Sequence, residues 1–248
     1  MAKWWAMNLK NRSLFALKHP KYTLGAIARD LFSLDERFIA GITGMSPSAI
    51  RDFLNEPFER PEFFSHLQAA QVLLEGAKTV GAEFYGKRIL LQYAIVRAHR
   101  PELILETGVA NGVSSSYVLE ALHRNKRGQL HSIEIGNSPY VPEGRSPGWI
   151  VPDYLQSRWS LHLCDARTCL PGLLDKLGTI DIFIHDSLHT YEHMKFEFKE
   201  AYPHLRANGI LISDDASWNS AFSEFSRSVA SPNARVIRGV GILKKHTR

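Results

Sequence analysis

Six carboxylates and one histidine stand where an α/β protein keeps its chemistry. Five short apolar runs each end in an acid: Glu106, Glu134, Asp165, Asp186 and the pair Asp214-Asp215. Acids gathered at one sheet edge repel one another unless something cationic compensates. Their oxygens suit a hard divalent cation such as Mg²⁺, which keeps positions open for water or substrate. Glu134, 22 residues past Gly112, stands where a carboxylate accepts the hydroxyls of a ribose. His189 follows Asp186 by three residues. Its ordinary pKa of about 6.5 suits proton abstraction near neutral pH.

The densest signal runs from Leu103 to Ser116. An apolar run long enough for one buried strand meets Glu106, then Gly108 and Gly112, then a helix start. Such a turn aims backbone N–H groups and a helix N-terminus at one spot above the sheet. The dinucleotide spacing Gly-x-Gly-x-x-Gly is not met, because Ala110 stands between the glycines. Glu106 also argues against a pyrophosphate, which it repels. Beside a sulfonium cofactor carrying an amino group the same anion is attractive.

The form Glu106-x-Gly108-x-x-x-Gly112-x-Ser114 resembles motif I of the class I S-adenosylmethionine (SAM) methyltransferases. It is similar to the metal-dependent small-molecule O-methyltransferases of the catechol and antibiotic-sugar types. The resemblance implies that Glu106, Thr107, Gly108, Gly112, Ser114, Glu134, Asp165 and Ala166 hold SAM, with Asp165 beside the adenine amino group. It implies Mg²⁺ on Asp186, Asp214 and Asp215, with Asp186 and His189 as the catalytic pair. The acceptor is then a hydroxyl of a small molecule of sugar or natural-product type. Two positions depart from the antibiotic-sugar pattern Asp-Gly-Asp-His-Ser-Tyr: here the stretch reads Asp186-Ser-Leu-His-Thr-Tyr191. Leu188 replaces the second acid, the group's base, and His189 takes the place of the catechol-type lysine. A metal-independent N- or C-methyltransferase, a cephalosporin-hydroxylase-like enzyme and a non-enzymatic binding protein are the alternatives.

These residues need a frame. Predicted strands at Leu103–Glu106, Gln129–Ile135, Ser160–Cys164, Ile180–His185 and Gly209–Ser213 alternate with helices at Ser114–Arg124, Thr168–Leu177, Tyr191–Leu205 and Trp218–Val229. That alternation marks a parallel sheet with helices on both faces. The tail holds two short strands around Gly239, too close for a helix between them, hence antiparallel. The expected fold is a Rossmann-like, doubly wound, mostly parallel seven-stranded sheet with an antiparallel C-terminal strand. Residues 86–248 make this domain. Residues 1–85 read as a helical extension, a cap or dimerisation element, with helices over Thr23–Phe32, Ser46–Leu54 and Pro61–Gly76. Lys87–His99 is a strongly apolar helix leading into the first strand. Asn137–Arg158 is long for a loop and carries Pro139, Tyr140, Trp149, Pro152 and Tyr154, candidates for a substrate mouth.

Composition narrows the partners. The net charge of +5 comes from scattered basic residues, and no nucleic-acid motif accompanies it, so a nucleic-acid partner is not expected. Cys164 and Cys169 are the two cysteines. Neither a disulfide framework nor a metal-ligand spacing is expected of them, which favours a reducing cytoplasm. No run is apolar enough to span a membrane, and the N-terminal residues make a poor signal peptide. A homodimer is expected.

Overall fold

The structure, a computed structural model, describes residues 34–76, 84 and 86–246. The predicted helix Thr23–Phe32, with Trp4 and Trp5, lies outside them. The chain divides into two compact units, one ending at Asp52 and one running from Phe53. Towards the first belong α1 (Leu34–Thr43) and the start of α2 (Pro47–Asn55). Within that unit Arg51 pairs with Glu36 at 2.8 Å.

The second unit holds α3 (Pro61–Gly76), α4 (Lys87–His99), β1 (Leu103–Thr107), α5 (Val113–Asn125), β2 (Gln129–Glu134), β3 (Trp159–Leu163), α6 (Ala166–Leu177), β4 (Ile180–His185), α7 (Tyr191–His204), β5 (Leu205–Ser213), α8 (Ala221–Ser228), β6 (Ala234–Ile237) and β7 (Val240–Lys244). Among the described residues the seven strands form one sheet in the order β3-β2-β1-β4-β5-β7-β6. The first five pair in parallel. β7 pairs antiparallel with β6, as the tail predicts, and also with β5, so it inserts between the two.

Alternation along the strands sorts the core into two layers. Leu105, Phe183 and Leu211 align across β1, β4 and β5 and join Phe198, Phe222 and Leu170 from α6, α7 and α8. Ile104, Ile182 and Ile210 face the other way and are fully buried too. That second face lies under α4 and α5, where the Tyr93 and Tyr117 rings meet edge to face at 6.4 Å. Burying each such side chain is worth about 1.5–3 kcal/mol, which explains why β1 and β4 are nearly unbroken apolar runs.

Three expectations need correction. Strand β5 starts at Leu205, not Gly209, because Leu205 pairs with Ile180 across an irregularity in the ladder. The helix before it therefore ends at His204, its last carbonyls collected by Lys245 Nζ, which donates to Tyr202, Pro203 and Leu205. The next helix starts at Ala221, not Trp218, since Asn219 Oδ1 accepts from the Ala221 N–H at 2.8 Å and sets the entry there. Cys164 and Cys169 form a disulfide, with Cα atoms 6.3 Å apart. The strand end and the first turn of α6 fold back on each other across Asp165, which a spacing count does not register.

Candidate active site

The glycine turn closes against the neighbouring strand ends. Gly108 has φ +86°, and a Cβ there would lie 2.0 Å from the Asp186 carbonyl oxygen. Only glycine allows this approach. Its N–H bonds Ile133 O at 2.9 Å, while Asp186 N bonds Thr107 O at 2.8 Å. Three strand ends are thereby stitched together. Gly112 has φ +89° and opens α5.

Glu134 joins this turn directly. Its Oε2 accepts from the N–H groups of Val109 and Ala110, both at 2.6 Å. Ala110 itself has φ +46°. The acid read as a ribose ligand thus holds the glycine turn in shape. Glu106 is fully buried, and its Oε2 accepts from Ser115 Oγ and Ser132 Oγ at 2.7 Å each. Burial pushes its carboxyl up to about 7 despite those two bonds. Its Oε1 has no partner among the described residues. Thr107 turns its hydroxyl away, to Glu197 at 2.6 Å. Asp165 caps α6, accepting from Arg167 N at 2.7 Å, and Ala166 begins that helix.

A cavity of about 350 Å³ opens beside the turn. Val109, Ala110, Asn111 and Ser114 line one wall, and Asp186, His189, Asp214 and Asp215 another. Glu106, Thr107, Gly108, Gly112, Glu134, Asp165 and Ala166 are not on its lining. The β4–β5 ladder ends with His185 opposite Ser213, so the next residues on the two parallel strands, Asp186 and Asp214, come together. Asp214 N bonds His185 O at 2.8 Å. Burial and the neighbouring Asp214 and Glu106 push the Asp186 carboxyl well above the usual carboxylate range. Asp214 is raised by burial, against the pull of Arg88.

His189 Nε2 stands 3.8 Å from Asp186 Oδ1 and 3.6 Å from Asp215 Oδ2. Burial and the adjacent His185 ring lower its pKa, opposed by Asp215 and Asp214. It is therefore a neutral imidazole near pH 7, able to accept a proton. Ligand atoms of Asp186, His189 and Asp214 lie within 4.8 Å of one another. This oxygen and nitrogen set fits a divalent cation. Asp215 stands just outside it, its Oδ1 held by Arg88 Nη2. The three aspartates do converge, but the tightest group exchanges Asp215 for His189.

A second layer fixes the loop. Glu197 is fully buried and accepts from four groups. Thr107 Oγ1 and His185 Nδ1 meet Oε2 at 2.6 Å each, and Ser187 Oγ and His193 Nε2 meet Oε1 at 2.8 Å each. Burial raises a carboxyl, but the bonds to His185 and His193 outweigh it and hold Glu197 at about 2. His185 is accordingly structural, as its place opposite Asp186 on the strand predicts.

The long loop divides its aromatics. Tyr140 reaches the cavity, while Trp149 Nε1 donates to Asn111 at 2.8 Å and Tyr154 Oη to Glu120 at 2.8 Å. Gly148 N and Ile150 N bond the carbonyls of Ala110 and Asn111 at 2.8 and 3.1 Å, pinning the loop onto the glycine turn. Tyr191 is committed to Glu224 at 2.6 Å. Trp218 is 70% exposed, with its ring 5.4 Å from that of His189.

Residues 105–216, from within β1 to just past the Asp214-Asp215 pair, match the family described as a methyltransferase domain. A curated relative, the demethylmacrocin O-methyltransferase of Streptomyces fradiae, is 29% identical over 76 residues, covering 31% of this chain and 19% of its own. The chain thus spans about a fifth of the length of the curated relative it matches. An O-methyltransferase from Bacillus cereus, solved in complex with SAH, superposes with TM-score 0.53 at 14% identity, covering 73% of this chain and 89% of that one. CalS11, a TDP-rhamnose 3'-O-methyltransferase of calicheamicin biosynthesis, gives TM-score 0.50 at 18% identity, with 75% and 95% covered. At these identities the likeness is one of fold.

Sequence reasoning about this site missed Arg88, Gln92, Asn111 and Glu197. Arg88 and Gln92 interrupt an otherwise apolar helix four residues apart, so they share a face, and that face lines the cavity. Glu197 left a fainter trace, an acid four residues after His193. No helix among the described residues is long and apolar enough to cross a membrane.

Proposed function

We propose that the chain is a SAM-dependent O-methyltransferase that acts on a hydroxyl of a small molecule of sugar or natural-product type, with the help of Mg²⁺. The observation that carries this reading is the convergence of Asp186, His189, Asp214 and Asp215 on one cavity whose other wall is the glycine turn. SAM supplies the methyl group as a sulfonium, and Mg²⁺ supplies positive charge beside the acceptor oxygen. Val109, Asn111 and Ser114 would hold the methionine end of SAM, Glu134 its ribose, and Asp165 with Ala166 its adenine. Asp186, Asp214 and Asp215 hold the cation and, through it, the position of the acceptor. His189 Nε2 would take the hydroxyl proton, and the cavity would hold the acceptor oxygen against the methyl group that SAM would supply. Alignment and charge account for most of the rate gain.

Tyr140 on the cavity lining and Trp218 beside His189, both exposed, supply flat apolar faces for the acceptor. The region to residue 85 serves as a cap or dimer interface. The Cys164–Cys169 disulfide withdraws the cysteine argument for a reducing compartment. Cytoplasmic location is kept as a proposal, tested by cell fractionation. One observation favours the metal-independent alternative: Arg88 already pairs with two of the acids.

Calorimetric titration with SAH, with and without Mg²⁺, tests the reading. SAH should bind in both conditions, and Mg²⁺ should bind with a stoichiometry of about one that Asp214→Asn abolishes. Absence of SAH binding would refute the methyltransferase assignment of the cavity.

A further inference from the structure

Arg88 reaches the acid cluster from α4, which also lines the cavity. It sits in the first turn of α4, 127 residues before Asp215. Its Nη2 lies 2.7 Å from Asp214 Oδ1 and also donates to Asp215 Oδ1. Both contacts use the same nitrogen, so the guanidinium meets the acids end-on. Its Nε is buried without a partner among the described residues.

Arg97, on the same helix, shows what a permanent pair looks like. Its Nε and Nη2 grip the two oxygens of Glu56 at 2.6 and 2.9 Å, and Tyr93 donates to the same carboxylate at 2.8 Å. A forked arginine pair uses the planar geometry of both groups. An end-on contact through one shared nitrogen does not. The Arg88 side chain is 30% exposed and lines the cavity, so it can withdraw without disturbing the core. Asp215 has φ +46°, a conformation a non-glycine residue keeps only where its surroundings hold it. There its carboxylate stands between Arg88 and His189.

We propose that Arg88 is an exchangeable counter-cation: it neutralises Asp214 and Asp215 in the metal-free protein and leaves them when a divalent cation takes the same oxygens. The inference rests on the metal-assisted reading above and adds to it that the chain sets its own metal affinity. A guanidinium and a divalent cation on the same oxygens repel each other, so metal uptake is weakened by the work of displacing Arg88. The acids in turn avoid standing unneutralised.

The test is Mn²⁺ titration of the full chain, wild type against Arg88→Gln, by calorimetry without acceptor. Arg88→Gln should bind Mn²⁺ about tenfold more tightly or better, the ratio that one charge-assisted hydrogen bond is worth. Equal or weaker affinity in the variant overturns the exchange and leaves the metal-assisted reading standing. Mn²⁺ uptake by neither protein overturns both. A second measurement uses wild type alone, in case the variant misfolds. Phenylglyoxal labelling of the Arg88 peptide, read by mass spectrometry, should rise several-fold on saturation with Mn²⁺. Unchanged labelling in a protein that binds the ion overturns the exchange.

Discussion

Glu197 Oε2 and His185 Nδ1 lie 2.6 Å apart, both side chains fully buried, beneath the loop that carries Asp186 and His189. The contact joins the end of β4 to the middle of α7. It is the anchor of the site loop, because the same carboxylate also takes Thr107, Ser187 and His193.

Replacing Glu197 by alanine should destabilise the fold by at least ~1–3 kcal/mol, the cost of leaving a buried hydrogen-bonding group without its partner. The pH dependence has a definite sign. With its pKa held at about 2, below the ordinary value of 4.5, Glu197 contributes stability that is present above pH 4.5. That stability is lost as pH falls through 2. Urea melts between pH 5 and pH 2.5 should show a steeper acid loss in wild type than in Glu197→Gln. Parallel curves would contradict the anchor role.

Glu106 behaves in the opposite sense. Its pKa is raised to about 7, so its burial is nearly free below pH 4.5 and costs most above pH 7. Glu106→Gln should raise the melting temperature at pH 8, a gain on the order of 1–3 kcal/mol, and leave it nearly unchanged at pH 5. Thermal scans at the two pH values read the difference. A larger gain at pH 5 than at pH 8 would be the wrong sign.

Glu134→Ala should weaken SAH binding by roughly 1.5–3 kcal/mol, the range for a hydrogen bond to a charged group. The melting temperature should fall as well, because Val109 and Ala110 lose the acceptor of their N–H groups. Calorimetry and a thermal melt measure the two effects separately. Unchanged affinity would take Glu134 out of the site.

Gly108→Ala places a methyl group 2.0 Å from the Asp186 carbonyl, at a φ of +86°. The cost should exceed ~3 kcal/mol. Gly136→Ala, where a Cβ meets nothing within 4 Å, is the control and should melt close to wild type. Similar melting of both variants would count against the stitched turn.

His189→Ala should lower the transfer rate by about 10²–10⁴-fold, the usual worth of a general base. In wild type the acid limb of the rate profile should fall below pH 6.5, since burial depresses the His189 pKa. The variant should lack that limb. An identical pH profile in His189→Ala would assign the proton to another group.

The chain by itself determined the order of strands and helices and the acids at their ends. Apolar runs such as Ile180–His185 can only be buried strands, and Gly108 with Gly112 can only mark a tight turn, because these are properties of neighbouring residues. Once five parallel strands are implied, their terminal acids must share one edge. What each acid does there was decided by tertiary contact. Glu134 bonds to the turn it faces, Glu197 gathers two histidines and two hydroxyls, and β7 slides between β5 and β6. Arg88 meets Asp214 and Asp215 across more than a hundred residues of chain. Cys164 and Cys169 bond because a strand end and a helix start converge. Periodicity is local, and it places a side chain on a face of its own element. Which distant group that face meets depends on how whole layers pack, and no spacing along the chain encodes that distance.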